Sequence, residues 1–502
     1  MLRPLETIVR TAAANAITSP SNEGYSILIC MIWCHKVSHN NPFSAIGIGR
    51  MKMTVGNLST CLGRGLHAAW LLPALIAAFG LIPAGRASAQ PLKTLYSFGA
   101  VPDGGSQPNA GLVLSGNTFY GTTYQGGSSG FGTVFAVNTD GSGYTNLYSF
   151  TNGSDGANPS AGLILSGNTL YGTALYGGSS NCGTIFAIDT DGSDFTNLYS
   201  FTGCTNGAYP SAGLVLSGGT LYGVTGAGIF VVNTNGTGFT NLYNFSGDAQ
   251  CDGLVLSGAI LYGMVGVGGT NNFGTVFAAN TAGSGFTNLY TFNDGSDGAN
   301  PYVGLILSGG TLYGTTSRGG PLNDGTVFAI NTDGTGFTNL YNFTNGSNGS
   351  SPRPGLVLSG NTLYGTAEFG SDGVGTVFSV STNGIGFTDL YTFTGGNDGV
   401  LPAGGLILSG NSLYGTAVTG GTSGGGTMFS ILLSRPQLAI TLSGANVVLT
   451  WPASAVSFTL ESTTNLLAAA WSTNLPVPVV INGQNVVTNP ITGTQQFYQL
   501  IQ

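Results

Sequence analysis

Histidine is absent from most of this chain: His35, His39 and His67 all lie before Gln90, and none follows. Downstream of Gln90 this excludes Ser-His-Asp and Cys-His catalysis, His-ligated zinc or copper, and the usual imidazole general base. Lysine is nearly as scarce, with Lys93 alone after Gln90. Charge of either sign is thin at 6% of residues, and what remains is lopsided. Beyond Gln90 stand four basic residues (Lys93, Arg318, Arg353, Arg435) against seventeen acidic ones, so 4 − 17 = −13 by residue count. Such a surface repels phosphate backbones and anionic lipid, which makes nucleic acid a poor partner. No run past Gln90 has the length or 3.6-residue periodicity of a helix. An enzyme built from this material would have to work with carboxylates.

Glycine is plentiful at 85 residues, and a hydrophobic fraction of 42% is enough for a large core. Residues 51–89 read as a secretory leader. Lys52 and Arg64 precede the apolar stretch Leu66–Ile82, and Ala87-Ser88-Ala89 before Gln90 has the A-x-A form of a cleavage site. Initiation at Met51 or Met53 gives a normal leader, so residues 1–50 read as a mis-assigned upstream segment or a disordered extension. The expectation is an exported protein, secreted or at the cell surface, with no membrane span once the leader is removed.

The rest of the chain repeats itself. "LYxF" begins at Leu95, Leu147, Leu198, Leu242, Leu289, Leu340 and Leu390, and "GLxL" at Gly111, Gly162, Gly213, Gly253, Gly304, Gly355 and Gly405. Each GLxL is followed by a "YG" run, as in Gly162–Thr173 (GLILSGNTLYGT), and then by a GTVF-like run such as Gly132–Asn138. Four short strand-like runs per period of about 40–50 residues indicate propeller blades. The first LYxF has no GLxL before it, and the last unit has no LYxF after it. Those two halves make one blade if Lys93–Phe98 closes the ring, which removes two sheet edges. The predicted fold is all-β: a seven-bladed β-propeller over 90–433, closed by its N-terminal strand. From 434 to 502, alternating strands with turns such as Ser443-Gly444 and Asn482-Gly483 suggest a small β-sandwich-like domain. The third unit is trimmed between Gly223 and Gly228 and between Phe245 and Gly253, which implies a notch on one face.

The phrases AGLILSGNTLYGT, GTVFAVNTDG and TNLYSF resemble the GloVer (Gloeobacter/Verrucomicrobium-type) tandem-repeat family of secreted bacterial proteins, over residues 93–433. The resemblance implies export and brings no catalytic residues with it. The strand order with Gly-Gly after the second strand is also kelch-like. The tail is similar to a C-terminal module of exported proteins from bacteria of that type.

Candidate site residues lie in loops. A D/N-G-x-x-P pattern places Asp155, Asp297 and Asp398 before the first strands of their units, with Asp103 one residue farther from its proline. A partial ring of these acids could bind Ca²⁺ or hydrogen-bond a sugar; Asp-Gly is equally good turn chemistry. Asp189, Asp191 and Asp194 are spaced like the start of a calcium loop, without a distal Glu. No other cofactor is expected. The residues before Gly-Gly vary between units, and Tyr124, Tyr176, Arg318 and Phe369 stand there as ligand contacts, the aromatics able to stack on sugar rings. Of the three cysteines after Gln90, Cys182–Cys204 is the preferred disulfide and Cys204–Cys251 the alternative. The reading is a monomeric, non-catalytic propeller binding polysaccharide or a cell-surface protein through its loop face. A carboxylate-dependent polysaccharide hydrolase or lyase and a structural envelope component are the alternatives.

Overall fold

The computed structural model describes residues 92–501 except 102, 204–208, 246–252, 294, 303, 345–347, 371–372, 434–436, 453–458, 465–470, 474, 482–483 and 491–495. The leader at 51–89 and the segment 1–50 therefore lie outside the described residues. Every regular element among the described residues is a β-strand, and no helix there is long and apolar enough to cross a membrane.

The repeats become antiparallel sheets of four strands, with Ala299–Pro301 adding a fifth in the unit opened by Gly304. In the unit opened by Gly162 the strands are Ile164–Ser166, Thr169–Ala174, Thr184–Asp189 and Thr196–Ser200, hydrogen-bonded in sequence order. Gly167, at φ 60°, supplies the left-handed first position of the two-residue turn that sets Ser166 opposite Thr169. The third strand is buried along most of its length because both of its faces are covered, which explains why its sequence runs apolar without alternation. Third strands of the same kind occur at Thr133–Asn138, Gly228–Asn233, Thr275–Asn280, Thr326–Asn331, Thr376–Ser381 and Thr427–Leu432.

Two sequence constants follow from packing within and between these sheets. In register, Gly172 faces Phe186, and a Cβ on that glycine would lie 2.5 Å from the ring's Cζ. The "YG" glycine is thus the seat of the GTVF phenylalanine. Between sheets, Tyr148 of one LYxF run stacks on Phe195 of the next unit at 3.8 Å and 4°, while Phe150 meets Phe186 edge-on at 5.2 Å. The same ladder recurs at Tyr199–Phe239, Tyr243–Phe286, Tyr290–Phe337 and Tyr341–Phe387. Edge-on pairs of this kind add about 0.5–1.5 kcal/mol each beyond their buried area.

Leu92–Ser97 pairs antiparallel with Thr427–Leu432 from the far end of the repeats, Leu92 opposite Ile431 and Ser97 opposite Thr427. Tyr96 then stacks on Tyr144 of the first unit at 4.3 Å, as Tyr148 does on Phe195. The hydroxyl of Thr416 donates to the carbonyl of Ala110 at 3.2 Å, and Phe119 and Tyr414 lie 4.8 Å apart. First and last repeats are therefore direct neighbours.

In the C-terminal segment, strands Ala439–Ser443, Asn446–Pro452, Gln484–Pro490 and Val479–Ile481 form one antiparallel sheet, and Thr459–Thr463 pairs with Phe497–Ile501. Leu449, Trp451, Leu460 and Val487 form their shared core. In the third repeat unit, Thr220–Thr225 and Gly228–Asn233 are joined by two residues only. The other trimmed connection falls within 246–252, outside the described residues.

Candidate functional site

The loop leading into each first strand meets the loop leaving each second strand. Ala157 bridges Tyr176, Ala299 pairs with Arg318, Ser350 bridges Phe369, Val400 bridges Thr419, and Ser106 pairs with Gln125. All the variable residues before Gly-Gly therefore share a surface with the D/N-G-x-x-P turns. The residue before each proline has a positive φ: Gln107 (60°), Asn158 (54°), Tyr209 (62°), Asn300 (50°), Ser351 (53°) and Leu401 (58°). L-residues visit this region at a cost of roughly 1–2 kcal/mol. It is held here by the backbone: the N–H of Asn158 donates to Phe131 of the preceding unit, and its carbonyl accepts from Leu175.

The acids serve the loops they belong to. Asp155, 8% exposed, accepts from the N–H and hydroxyl of Thr151 (both 2.7 Å), the N–H of Gly153 (3.0 Å) and the phenol of Tyr148 (3.2 Å). Asp398 repeats this with Thr394, Gly396 and Tyr391, and Asp297 with Asn293, Gly295 and Tyr290. Burial opposes the charge on Asp398, yet these hydrogen bonds hold its carboxyl below the usual range. Burial and the adjacent carboxylate push Tyr148, Tyr290 and Tyr391 up to about 12. Turn chemistry accounts for all of these contacts. Asp103 departs from the set: the pairing of Gly105 with Gly126 and Ser106 with Gln125 puts Asp103 where Ser154 stands in the next unit. Its side chain is exposed, and its carbonyl accepts from Asn146 at 2.7 Å. The extra residue before Pro108 shifts Asp103 out of the capping position.

Asp189, Asp191 and Asp194 do not converge. Asp189 accepts from the Thr169 hydroxyl at 2.9 Å, and Asp191 closes its own turn on the N–H and hydroxyl of Ser193 (2.9 and 2.6 Å). Among the described residues no three His, Cys, Asp or Glu side chains gather as metal ligands. Cys182 is buried and disulfide-bonded; the expected partners Cys204 and Cys251 lie outside the described residues.

The tyrosines do come together. Burial, and then the neighbouring Tyr176 phenol, raise the pKa of Tyr124. Tyr176 meets Tyr209 edge-on at 5.6 Å, and these two are 36% and 39% exposed. The N–H of Tyr209 donates to the carbonyl of Cys182 at 2.9 Å, which seats the cluster beside the disulfide. Arg318 is exposed on the same loop edge, and Phe369 is half-buried.

A second cluster lies at least two units away from these tyrosines. The Arg353 guanidinium sits over the Tyr302 ring, 4.8 Å from its centroid, and its Nε is 2.8 Å from Glu368 Oε2. This is the one ion pair among the described residues. Burial raises the Glu368 carboxyl above its ordinary value, more strongly than the Arg353 charge lowers it.

The profile of the Gloeobacter/Verrucomicrobia repeat matches residues 79–249 and 227–371. The chain belongs to that repeat family. No curated protein sequence matches it. Among solved structures it is similar to the extracellular domain of a hybrid two-component system from B. thetaiotaomicron (11% identity, TM-score 0.47, 72% of this chain and 45% of that one). It is also similar to PorZ, a surface component of the type-IX secretion system of Porphyromonas gingivalis (12%, 0.41, 72% and 43%), and to BamB from Moraxella catarrhalis (16%, 0.38, 64% and 84%).

In this member of the Gloeobacter/Verrucomicrobia repeat family, two loop positions escaped the reading of the sequence. Tyr209 and Arg353 flank prolines in units whose counterparts carry Asn158 or Ser160, so aligning the residues on either side of each proline would have singled them out. Sequence pattern could not have joined Tyr302 to Arg353 and Glu368, because the Tyr302–Arg353 contact runs between units.

Proposed function

We propose that this chain is an exported, non-catalytic repeat propeller that binds glycan, or another surface partner, through the loop face bearing the D/N-G-x-x-P turns. The repeat sheets are taken as seven blades of a ring closed by Leu92–Ser97. That closure is supported by the pairing of Leu92–Ser97 with Thr427–Leu432 and by the Thr416–Ala110 hydrogen bond. Export is inferred from the A-x-A leader, and a Cys182–Cys204 bridge would suit an oxidising compartment.

The observation that carries the binding reading is the tyrosine cluster. Three phenols from successive units, two of them over a third exposed, stand on a loop edge that other units fill with Leu175, Asn158 or Ser351. Exposed aromatic faces with hydroxyl tips suit the apolar faces and hydroxyls of sugar rings. Asp155, Asp297 and Asp398 are engaged in their turns, which favours binding over carboxylate catalysis.

A screen of the secreted protein against polysaccharides, with and without Ca²⁺, tests this. Binding should weaken about tenfold or more in Tyr176→Ala and survive Asp155→Asn. Turnover abolished by one D-G substitution would establish the enzyme instead, and no binding at all would leave a structural envelope role.

A further inference from the structure

We propose that Tyr302, Arg353 and Glu368 form a subsite in which the free edge of the Arg353 guanidinium receives a single carboxylate of an acidic sugar residue. The proposal rests on the reading of the loop face as a saccharide-binding surface, and it adds the chemical class of the ligand.

The repeats provide the internal control. The N–H of Glu368 donates to Ser351, as that of Leu175 does to Asn158, Val418 to Leu401 and Tyr124 to Gln107, so these four occupy one position. The sheet accepts leucine or valine where Glu368 stands, and Ser160 or Ala403 where Arg353 stands. The fold therefore has no need of a charge at either place. Replacing a buried ion pair with apolar residues is often neutral or stabilising, so the pair is not explained by stability.

Its geometry is also incomplete. Glu368 is 8% exposed. Arg353 Nε and Glu368 Oε2 are 2.8 Å apart, yet both are shut off from solvent without hydrogen-bond alignment, and the one aligned contact, from Arg353 Nη1 to Oε1, is long at 3.4 Å. Buried polar atoms left this way call for a reason. The arginine is positioned rather than neutralised: Tyr302 lies against its face, the Glu368 carboxylate against its Nε side, and its side chain remains 39% exposed.

A guanidinium offers five N–H donors in a fixed fork. With Nε beside Glu368 Oε2 and one Nη1 hydrogen directed at Oε1, the hydrogens left on the two Nη atoms can meet the two oxygens of a carboxylate. Burial already raises the Glu368 carboxyl, so a second carboxylate can be met by protonation of Glu368 instead of repulsion. The net negative charge of the chain beyond Gln90 disfavours a polyanion, which favours a ligand with a single carboxylate at this place.

The test uses the full secreted chain and two probes, a glucuronate-terminated disaccharide and its carboxyl-reduced neutral counterpart. The variant R353A/E368L removes both charges at once and installs residues other units carry. Wild type should bind the acidic disaccharide about tenfold more tightly than the neutral one. The double variant should lose that preference, keep binding of the neutral sugar, and melt at the same temperature or higher. Equal affinities in wild type, or a preference that survives in the double variant, would overturn the subsite while leaving saccharide binding intact. A large drop in melting temperature of the double variant would make the pair structural and overturn it too. If neither sugar, nor any polysaccharide in the wider screen, binds wild type, the saccharide reading falls and the subsite with it.

Discussion

Asp389 breaks a pattern that its neighbours obey. In the outer strands, Asn146, Asn197 and Asn339 occupy one register position, opposite Phe135, Phe186 and Phe328. Each donates its amide to a carbonyl of the loop before its unit's first strand, to Asp103, Ser154 and Ser296 respectively. Asp389, opposite Phe378, takes the same place in Thr388–Thr392 with a carboxylate that has nothing to donate. Its Oδ1 is buried without a partner, and burial pushes its pKa up from 3.8 to about 6. Because the folded pKa is above the unfolded one, the folded state binds the extra proton between about pH 4 and 6. The stabilisation from the protonated acid, which can donate like asparagine, is complete below about pH 4 and is lost as pH rises through 6. A two-unit shift corresponds to about 3 kcal/mol; since Asp389 is half-exposed, solvent screening reduces this to about 1 kcal/mol. Asp389→Asn should therefore raise stability by about 1 kcal/mol at pH 7.5, with the gain fading towards zero at pH 4. Urea midpoints of wild type and variant at pH 4, 5, 6 and 7.5 measure it, and Asn339→Asp should import the same dependence into another unit. A difference that is the same at every pH, or a variant less stable at pH 7.5, would refute the reasoning.

Removing Leu92–Phe98 takes away the outer strand of the last repeat sheet along with buried Phe98, itself worth about 2–3 kcal/mol, so thermal unfolding should begin well below wild type; an unchanged melting temperature would disprove ring closure. Asp155→Ala orphans the N–H groups of Thr151 and Gly153 and should cost about 2–3 kcal/mol, whereas Asp155→Asn should cost under about 1 kcal/mol because Asn348 fills that place in another unit; equal losses in calorimetry would contradict the capping role. Gly172→Ala drives a Cβ into the Phe186 ring and should destabilise by about 1–3 kcal/mol, measurable as a lowered urea midpoint, while Gly167→Ala, with open space around it, should suffer only its positive-φ penalty.

The architecture was legible because its rules are local and repeated. GLILSGNTLYGT contains its own turn glycine, and the GTVF run announces a strand covered on both faces. Counting the orphan LYxF at Leu95 was enough to predict which strand Leu92–Ser97 would join. The acids were harder to read. Asp155 next to Gly156 has the same sequence signature whether it faces a ligand or its own loop, and only the four contacts to Tyr148, Thr151 and Gly153 separate the two. Asp103 misled because proximity to a proline in sequence is not register; one added residue moves a side chain from the buried cap to the exposed rim. The contact between Tyr176 and Tyr209, like that between Tyr302 and Arg353, depends on how one unit sits against the next, which no spacing within a unit encodes.

Variation in this chain is confined by its hydrogen bonds. The residue before each loop proline must adopt a positive φ, yet asparagine, the residue best suited to that region, appears at only some of these places. Leu401 and Ser351 hold the same backbone at 58° and 53°. Their N–H groups donate to Val374 and Asp324 in the preceding units, and their carbonyls accept from Val418 and Glu368. With both backbone groups committed across two units, the conformation is fixed without help from the side chain. The side chain is then free to change at a cost of about 1–2 kcal/mol set by the backbone, not by packing. That is how a repeat with so few charged residues can carry Tyr209 at one such loop and Leu401 at another on an unchanged scaffold. Specificity on this face should consequently transfer by exchange of the loop residues around the prolines, and Leu401→Tyr should alter ligand binding without moving the melting temperature by more than a few degrees.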